Sequence, residues 1–223
     1  LFICGTYGSG PIMTLEERKQ VHEIVIDQNR DRMTVVAHVG TTSTVQSVEL
    51  AKHAAATGAD YVASISPYYH RHDERTVVEY FRTLVKAVDI PVYVYNNPKA
   101  CGIEITTSFL RHLADVGVAG IKDSAFSYIT FAHFILEITE AYPDFKFVVG
   151  TEGIALPALM AGAKGIVSGL ANVWPELMVS LWDAAQAKDW DTAAKLQMDV
   201  VKARKLLHIP SSTNAACYTV LQA

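Results

Sequence analysis

The chain has 223 residues, half of them hydrophobic, enough to bury one substantial core in one large α/β domain or at most two small ones. Lys and Arg number 19 against 23 acids, a formal charge of −4, so no basic field reaches out for nucleic acid or an anionic membrane, and a small neutral or anionic partner stays open. The most apolar window, IALPALMAGAKGIVSGLANVW, contains Pro157, Lys164 and several glycines and reads as a packed helix followed by a buried strand, with no membrane span expected.

In chain order, the apolar run LFICG and the turn GTYGSG precede TLEERKQVHEIVIDQ, whose apolar residues recur at helical spacing. TVVAHVG then reads as a strand and TVQSVELAKHAAATG as a helix, and YVASISP with RTVVEYFRTLVKAV repeats the pair. VYVYNNP with TTSFLRHLADVG, VAGIKD with ITFAHFILEITEAY, and FKFVVG with the apolar window continue it, and GIVSG is the seventh strand signal. After GIVSG the pattern is helical, through WPELMVSLWDAAQAKDW and TAAKLQMDVVKARKLLHI to STNAACYTVLQA.

Strands separated by single helices imply parallel βαβ crossovers, and near-continuous apolar strands imply a sheet covered on both faces. A Rossmann-like sheet and a barrel both meet that description. The even spacing through seven units and the lack of a strand-GxGxxG-helix fingerprint favour the barrel; GTYGSG has neither the Walker lysine spacing nor the dinucleotide pattern. The expected fold is therefore an α/β (β/α)8 TIM barrel with a C-terminal helical extension. Strands two to eight would occupy residues 1–172, and the last barrel helix and the extension residues 173–223. On this reading the first β-strand, with its helix roughly 40 residues, and the end of the C-terminal helices lie outside the sequence, and the seven strands should curl with a gap beside LFICG. Cys4, Cys101 and Cys217 are odd in number and far apart, without a CxxC pair, which fits reduced thiols; with no visible secretory signal, a cytoplasmic location is expected.

In a barrel the chemistry collects where strands end, and the residues there are polar: Thr6 and Tyr7, His38, Ser66 to Tyr69, Tyr95 to Asn97, Lys122 to Ser124, Thr151 and Glu152, and Ser168 to Asn172. Lys122 closes the apolar run of VAGIKDSA. Sent into the barrel mouth it would be partly desolvated, which yields neutral amine, the nucleophile that Schiff-base chemistry needs. The alternative is a structural ion pair with Asp123. Tyr95 closes the preceding strand and could shuttle protons at the same mouth, or be a core tyrosine with a satisfied hydroxyl. The Gly5-Thr6-Tyr7-Gly8 turn offers N–H groups and a hydroxyl suited to a small carboxylate, or is a plain tight turn. His70 and His72 in HRHDE are the one close histidine pair; without HExxH or another ligand spacing, no metal is expected.

Together, GTYGSGPIMTLEERK, SPYYHRH, VYVYNNPKACG, GIKDSA and GTEG followed by AGAKGIVSGLANVWPE resemble the successive signatures of the dihydrodipicolinate synthase and N-acetylneuraminate lyase family, over nearly the whole chain and in order. The resemblance implies a (β/α)8 barrel, normally a homotetramer, whose lysine forms an imine with pyruvate or another small 2-oxo acid, with no cofactor beyond that covalent imine. It makes Lys122 the Schiff-base lysine and Tyr95 the catalytic phenol. Tyr69 would complete a hydroxyl relay, across a subunit contact; Thr6 and Tyr7 would hold the 2-oxo acid's carboxylate, and Ser124, Thr151, Glu152 and Ser168 would line the rest. The synthase branch usually carries an arginine two residues after the proline of its YNxP motif, where it grips a substrate carboxylate; this chain has Ala100 there, and Lys99 beside it could substitute only as a point charge in place of a planar fork. Ser9 replaces a usual glutamate, and Tyr7 is bulkier than the common threonine. The opening GTYGSGPIMT is closer to the 2-keto-3-deoxygluconate aldolases, so the expected activity is reversible cleavage of a 2-keto-3-deoxy sugar acid to pyruvate and an aldehyde. N-acetylneuraminate lyase, 4-hydroxy-tetrahydrodipicolinate synthase and a catalytically silent barrel are the alternatives.

Overall fold

The structure, a computed structural model, describes residues 1–209 and 212–222. Seven strands form one parallel sheet in strictly sequential order: β1 (Phe2–Ile3), β2 (Val36–His38), β3 (Tyr61–Ile65), β4 (Val92–Asn96), β5 (Gly120–Asp123), β6 (Lys146–Val149) and β7 (Gly165–Ile166). All seven fall within the predicted runs. The crossovers carry α1 (Leu15–Asn29), α2 (Thr44–Thr57), α3 (Glu74–Ala87), a single turn α4 (Pro98–Cys101) with α5 (Thr107–Asp115), α6 (Tyr128–Ala141) and α7 (Ala155–Ala161).

Helix starts follow side-chain caps written in the sequence. Thr14 and Glu17 form a reciprocal capping box at α1, and Asp73, Thr106 and Ser127 accept from the N–H three residues on at α3, α5 and α6. The inner faces of the helices close over the strands: Leu50, Phe81, Leu84, Leu110, Leu113, Phe131, Phe134 and Ile138 are fully buried and belong to one cluster with Val62, Val94, Ile121 and Val149. Burial of this kind stabilises by about 1.5–3 kcal/mol per large side chain.

The sheet curls until its two ends meet at one point. A Cβ on Gly169, just after β7, would sit 2.3 Å from the Tyr7 ring that follows β1, so the two loops touch although β7 and β1 share no hydrogen bonds. β1 and β7 are thus the two unpaired edges of the curled sheet. This corrects the expectation of a buried last strand: β7 is only half-buried, because a strand at an unpaired edge has a neighbour on one side alone.

The helical region beyond consists of α8 (Pro175–Gln186), α9 (Trp190–Leu207) and α10 (Thr213–Leu221), with residues 210, 211 and 223 outside the described ones. These helices share a second cluster in which Leu181, Ala193, Val200 and Leu207 pack with Ala155, Leu156 and Leu170, so α9 lies against the loop that follows β6. Cys4, Cys101 and Cys217 are buried and free. No helix among the described residues is long and apolar enough to cross a membrane.

Candidate active site

Strand register decides what Lys122 does. In the β4–β5 ladder Tyr95 pairs with Lys122 and Asn96 with Asp123, and paired residues in a sheet share a face while sequence neighbours alternate. Asp123 therefore turns away from Lys122, and the Asn96 amide donates to its Oδ1 at 2.6 Å. Burial lifts the Asp123 carboxyl to about 6, against the hydrogen bonds from Asn96 and the Ala125 backbone. The Lys122–Asp123 ion pair does not form, and among the described residues no carboxylate lies within ion-pair distance of the Lys122 ammonium.

Lys122 is instead 6% exposed and sits between aromatic faces, its Nζ 3.8 Å from the Tyr95 ring centroid and 4.0 Å from that of Phe2. Burial pushes its pKa down, opposed by Tyr95 and Glu152. Tyr95 moves in the complementary direction. Desolvation resists ionisation of its phenol, but the Lys122 charge and hydrogen bonds from Thr6, Ser124 and Asn97 outweigh it, and the pKa falls below the ordinary tyrosine value. Thr6 Oγ1 lies 3.1 Å from the phenol oxygen and Asn97 Nδ2 donates to it at 3.2 Å. A lysine with a lowered pKa beside a tyrosine with a lowered pKa is a nucleophile next to an acid–base group.

His38 forms the floor beneath them. Its Nε2 accepts from the Ile65 N–H at 3.3 Å, which leaves Nδ1 to donate to the Cys4 carbonyl at 3.1 Å, and its ring stands edge-on to Tyr95. Full burial, then Arg18 and Lys122, push it down to about 3, so it is a neutral structural ring. The Cys4 contact ties the floor to the turn that carries Thr6 and Tyr7. The N–H groups of those two residues meet no acceptor among the described residues, as a carboxylate-binding turn requires.

Thr6, Tyr7, Tyr95, Ser124, Thr151 and Glu152 line one cavity of about 330 Å³ at the C-terminal ends of the strands. Gly150 makes the packing possible: a Cβ there would lie 2.0 Å from Ser124 Oγ, 2.9 Å from the Asp123 carbonyl oxygen and 3.0 Å from Lys122 Cε. Ser168 joins through its hydroxyl, which donates to Glu152 Oε2 at 3.3 Å. Lys122 does not itself line this cavity but lies behind the Tyr95 and Phe2 rings, and Tyr69 stands apart altogether, 88% exposed at φ 79° with its ring against His70. A larger depression of about 480 Å³ between α3 and α5 is lined by exposed groups of both signs, including the Glu74–His112 pair, and lies away from the strand ends.

The residues missed in the sequence come from the helical extension and the loop after β5. Arg204 reaches the cavity from α9 and His208 from the cap that ends it, Thr213 from α10 and Phe126 from the loop after β5, while Lys99, already singled out beside Ala100, joins them from α4. A signal was present: Ala193, Gln197, Val200, Arg204 and Leu207 fall on one stripe of α9, so two polar residues interrupt an apolar face. Gln197 clamps the helix, its Oε1 accepting from the Leu156 N–H at 2.8 Å and its Nε2 donating to the Glu152 carbonyl at 3.0 Å.

Comparison with known proteins bears on the family and the fold. Residues 1–220 match the model of the dihydrodipicolinate synthetase family. An uncharacterised DapA-like lyase of Halobacterium salinarum is 37% identical over 208 residues, 93% of this chain and 67% of the relative. A 4-hydroxy-tetrahydrodipicolinate synthase of Methanothrix thermoacetophila is 38% identical over 182 residues, 81% of this chain and 60% of the relative. The chain thus spans about two thirds or less of the length of these relatives. Among solved structures, YagE, a prophage protein of E. coli K12 in the dihydrodipicolinic acid synthase family determined in complex with pyruvate, superposes with a TM-score of 0.94 at 28% identity, covering 99% of this chain and 75% of that one. The match running through residues 1–220 and the extent of these likenesses show that the chain belongs to the dihydrodipicolinate synthetase family.

Proposed function

We propose that the protein is a Schiff-base-forming, pyruvate-dependent lyase that reversibly cleaves a 2-keto-3-deoxy sugar acid to pyruvate and an aldehyde. The observation that carries the reading is the burial of Lys122 against the rings of Tyr95 and Phe2, with no carboxylate within ion-pair distance of it among the described residues. The neutral amine attacks the 2-oxo carbon, and Tyr95 supplies the proton with which the carbinolamine oxygen leaves as water. In the resulting iminium the Tyr95 phenolate takes the proton from the C4 hydroxyl and the C3–C4 bond breaks. Its electron pair moves to the iminium nitrogen and the aldehyde departs. Protonation of the enamine at C3 and hydrolysis return Lys122 and release pyruvate. Thr6, within hydrogen-bond distance of the phenol and on the turn with unbonded N–H groups, couples the carboxylate site to the acid–base group. No metal or cofactor enters this scheme. On the same reading the protein works as a homo-oligomer, a tetramer, with the exposed Tyr69 serving a neighbouring copy.

The second reading, 4-hydroxy-tetrahydrodipicolinate synthase, is favoured by the name of the Methanothrix relative. Against it stands Ala100, which leaves the amino-acid head of aspartate semialdehyde without a guanidinium from that loop, a loss of about 2–5 kcal/mol. The test compares kcat/KM for pyruvate with glyceraldehyde against pyruvate with aspartate semialdehyde. The sugar-acid reading expects glyceraldehyde to be used at least as well, and a tenfold preference for the semialdehyde replaces it with the synthase reading.

A further inference from the structure

Arg18 is a buried charge that the reaction does not use. It is 2% exposed, among the largest of the buried side chains, and no carboxylate pairs with it among the described residues. A guanidinium is rarely taken out of water without a counter-charge, so its place has to be accounted for by what it holds. It leaves the first turn of α1, which the Thr14–Glu17 capping box anchors. Its Nη1 donates to the Gly40 carbonyl at 3.0 Å and its Nη2 to the His38 carbonyl, while Nε has no partner among the described residues. The whole fork is thus turned onto the carbonyls at and just beyond the end of β2. That segment has little room to shift, because a Cβ on Gly40 would lie 2.9 Å from the Ile65 nitrogen and 2.9 Å from Ser64 Oγ.

From the end of β2 the contacts run on to the turn that faces the 2-oxo acid. The His38 ring takes the Ile65 N–H on Nε2 and gives its Nδ1 proton to the Cys4 carbonyl. Cys4 holds φ at 55°, a left-handed conformation uncommon outside glycine, and opens the turn. A Cβ on Gly10 would lie 1.9 Å from the Cys4 carbonyl oxygen, so the loop folds directly over the atom that His38 holds. The loop closes on itself through the Ser9 N–H to the Thr6 carbonyl and the Gly10 N–H to the Gly5 carbonyl, both at 3.2 Å. Thr6 and Tyr7, whose own N–H groups meet no acceptor among the described residues, lie inside it. Arg18 bears on the ring in a second way. After burial, its charge is the strongest influence keeping His38 neutral, and only a neutral imidazole accepts on one nitrogen while donating from the other.

We propose that Arg18 is a positioning residue for the carboxylate of the 2-oxo acid: through the His38 and Gly40 carbonyls it fixes the His38 ring, and through the Cys4 carbonyl that ring fixes the N–H groups of Thr6 and Tyr7. This rests on the lyase reading and deepens it, by giving the turn that meets pyruvate a support reaching back to α1. A neutral side chain of similar length would lose both carbonyl contacts and release the ring to either tautomer.

The test uses Arg18→Met, Arg18→Lys and His38→Phe, with Leu113→Ala, in the core cluster on α5, as a control for lost stability alone. Displacing a positioned group is worth about tenfold or more, so Arg18→Met should raise the pyruvate concentration for half-maximal borohydride trapping by about that factor, with the KM of glyceraldehyde nearly unchanged. Arg18→Lys, which keeps a cation to donate to the carbonyls, should recover most of the loss. His38→Phe keeps Arg18 and the shape of the ring but removes both nitrogens, and should raise the pyruvate requirement as Arg18→Met does; it decides the matter alone if Arg18→Met does not fold. Nitrogen-15 NMR gives a readout that needs no chemistry: His38 should show a protonated Nδ1 and a bare Nε2 in the parent protein, and Arg18→Met should average the two and shift the Thr6 and Tyr7 amides, with neither change in Leu113→Ala. A pyruvate requirement unmoved in His38→Phe, or raised as much by Leu113→Ala as by Arg18→Met, overturns the proposal, and so do unchanged His38, Thr6 and Tyr7 signals in Arg18→Met. A parent protein that forms no pyruvate adduct, with the NMR shifts as expected, keeps the Arg18 support of the turn and removes the lyase reading.

Discussion

Replacing Tyr95 by Phe removes one oxygen and leaves the ring that packs on Lys122, Phe2 and His38. Thr6 Oγ1 and Asn97 Nδ2 lose their shared partner, which costs about 1–3 kcal/mol in a largely buried site, a fall in Tm of roughly 2–10 °C for a domain of this size. The effect on turnover is larger, because positioned acid–base catalysis contributes about 10²–10⁴-fold. A third consequence has a definite sign. Burial lowers the Lys122 pKa and Tyr95 opposes that fall, so without the phenol the lysine pKa drops further. Imine formation requires neutral amine, and its acidic limb should therefore move to lower pH in Tyr95→Phe. The assay is single-turnover borohydride trapping with pyruvate across a pH series, beside steady-state cleavage. A loss of less than tenfold in cleavage, or a limb that moves to higher pH, refutes the role given to Tyr95.

Three further outcomes follow from the same contacts. Gly150→Ala drives a Cβ against the Asp123 carbonyl oxygen and Lys122 Cε, and overpacking of this kind costs about 1–3 kcal/mol; thermal unfolding should show it, with slower pyruvate trapping than in Ser124→Ala, and an unchanged Tm would contradict the packing. Gln197→Ala strands the Leu156 N–H and the Glu152 carbonyl, for about 1–3 kcal/mol by denaturant titration, and should loosen α9 as seen by amide exchange in residues 190–207. Stability should also fall between pH 7 and pH 5. His22 and His38, held at about 4 and about 3 in the fold against 6.5 unfolded, take up protons only on unfolding there and cost about 4 kcal/mol together, while Asp123, raised to about 6, returns about 1 kcal/mol over the same range. Equilibrium unfolding at the two pH values checks the sign, and greater stability at pH 5 would contradict it.

The strands were legible because parallel strands covered on both faces must be apolar along their length, and TVVAHVG, YVASISP and VYVYNNP have no other reading at that spacing. β7 deceived for the same reason: GIVSG has buried-strand composition, but burial depends on a neighbour that composition does not reveal. Lys122 and Tyr95 could be picked as strand-end residues, whereas choosing between an ion pair and an aromatic slot for the lysine needed the β4–β5 register. The outer half of the cavity was harder still. Arg204, His208 and Thr213 lie more than eighty residues beyond Lys122, and only the packing of α9 and α10 on the strand-end loops brings them in. The polar breaks in the α9 stripe were readable, but their destination was not.

The account stands on Lys122 as the nucleophile. Incubation with pyruvate, reduction by borohydride and peptide mass spectrometry should place a single reduced pyruvyl group on Lys122, with none in Lys122→Ala and with blocked cleavage activity in the modified protein. Unmodified protein, or label on Lys99 or any other lysine in place of Lys122, would contradict it.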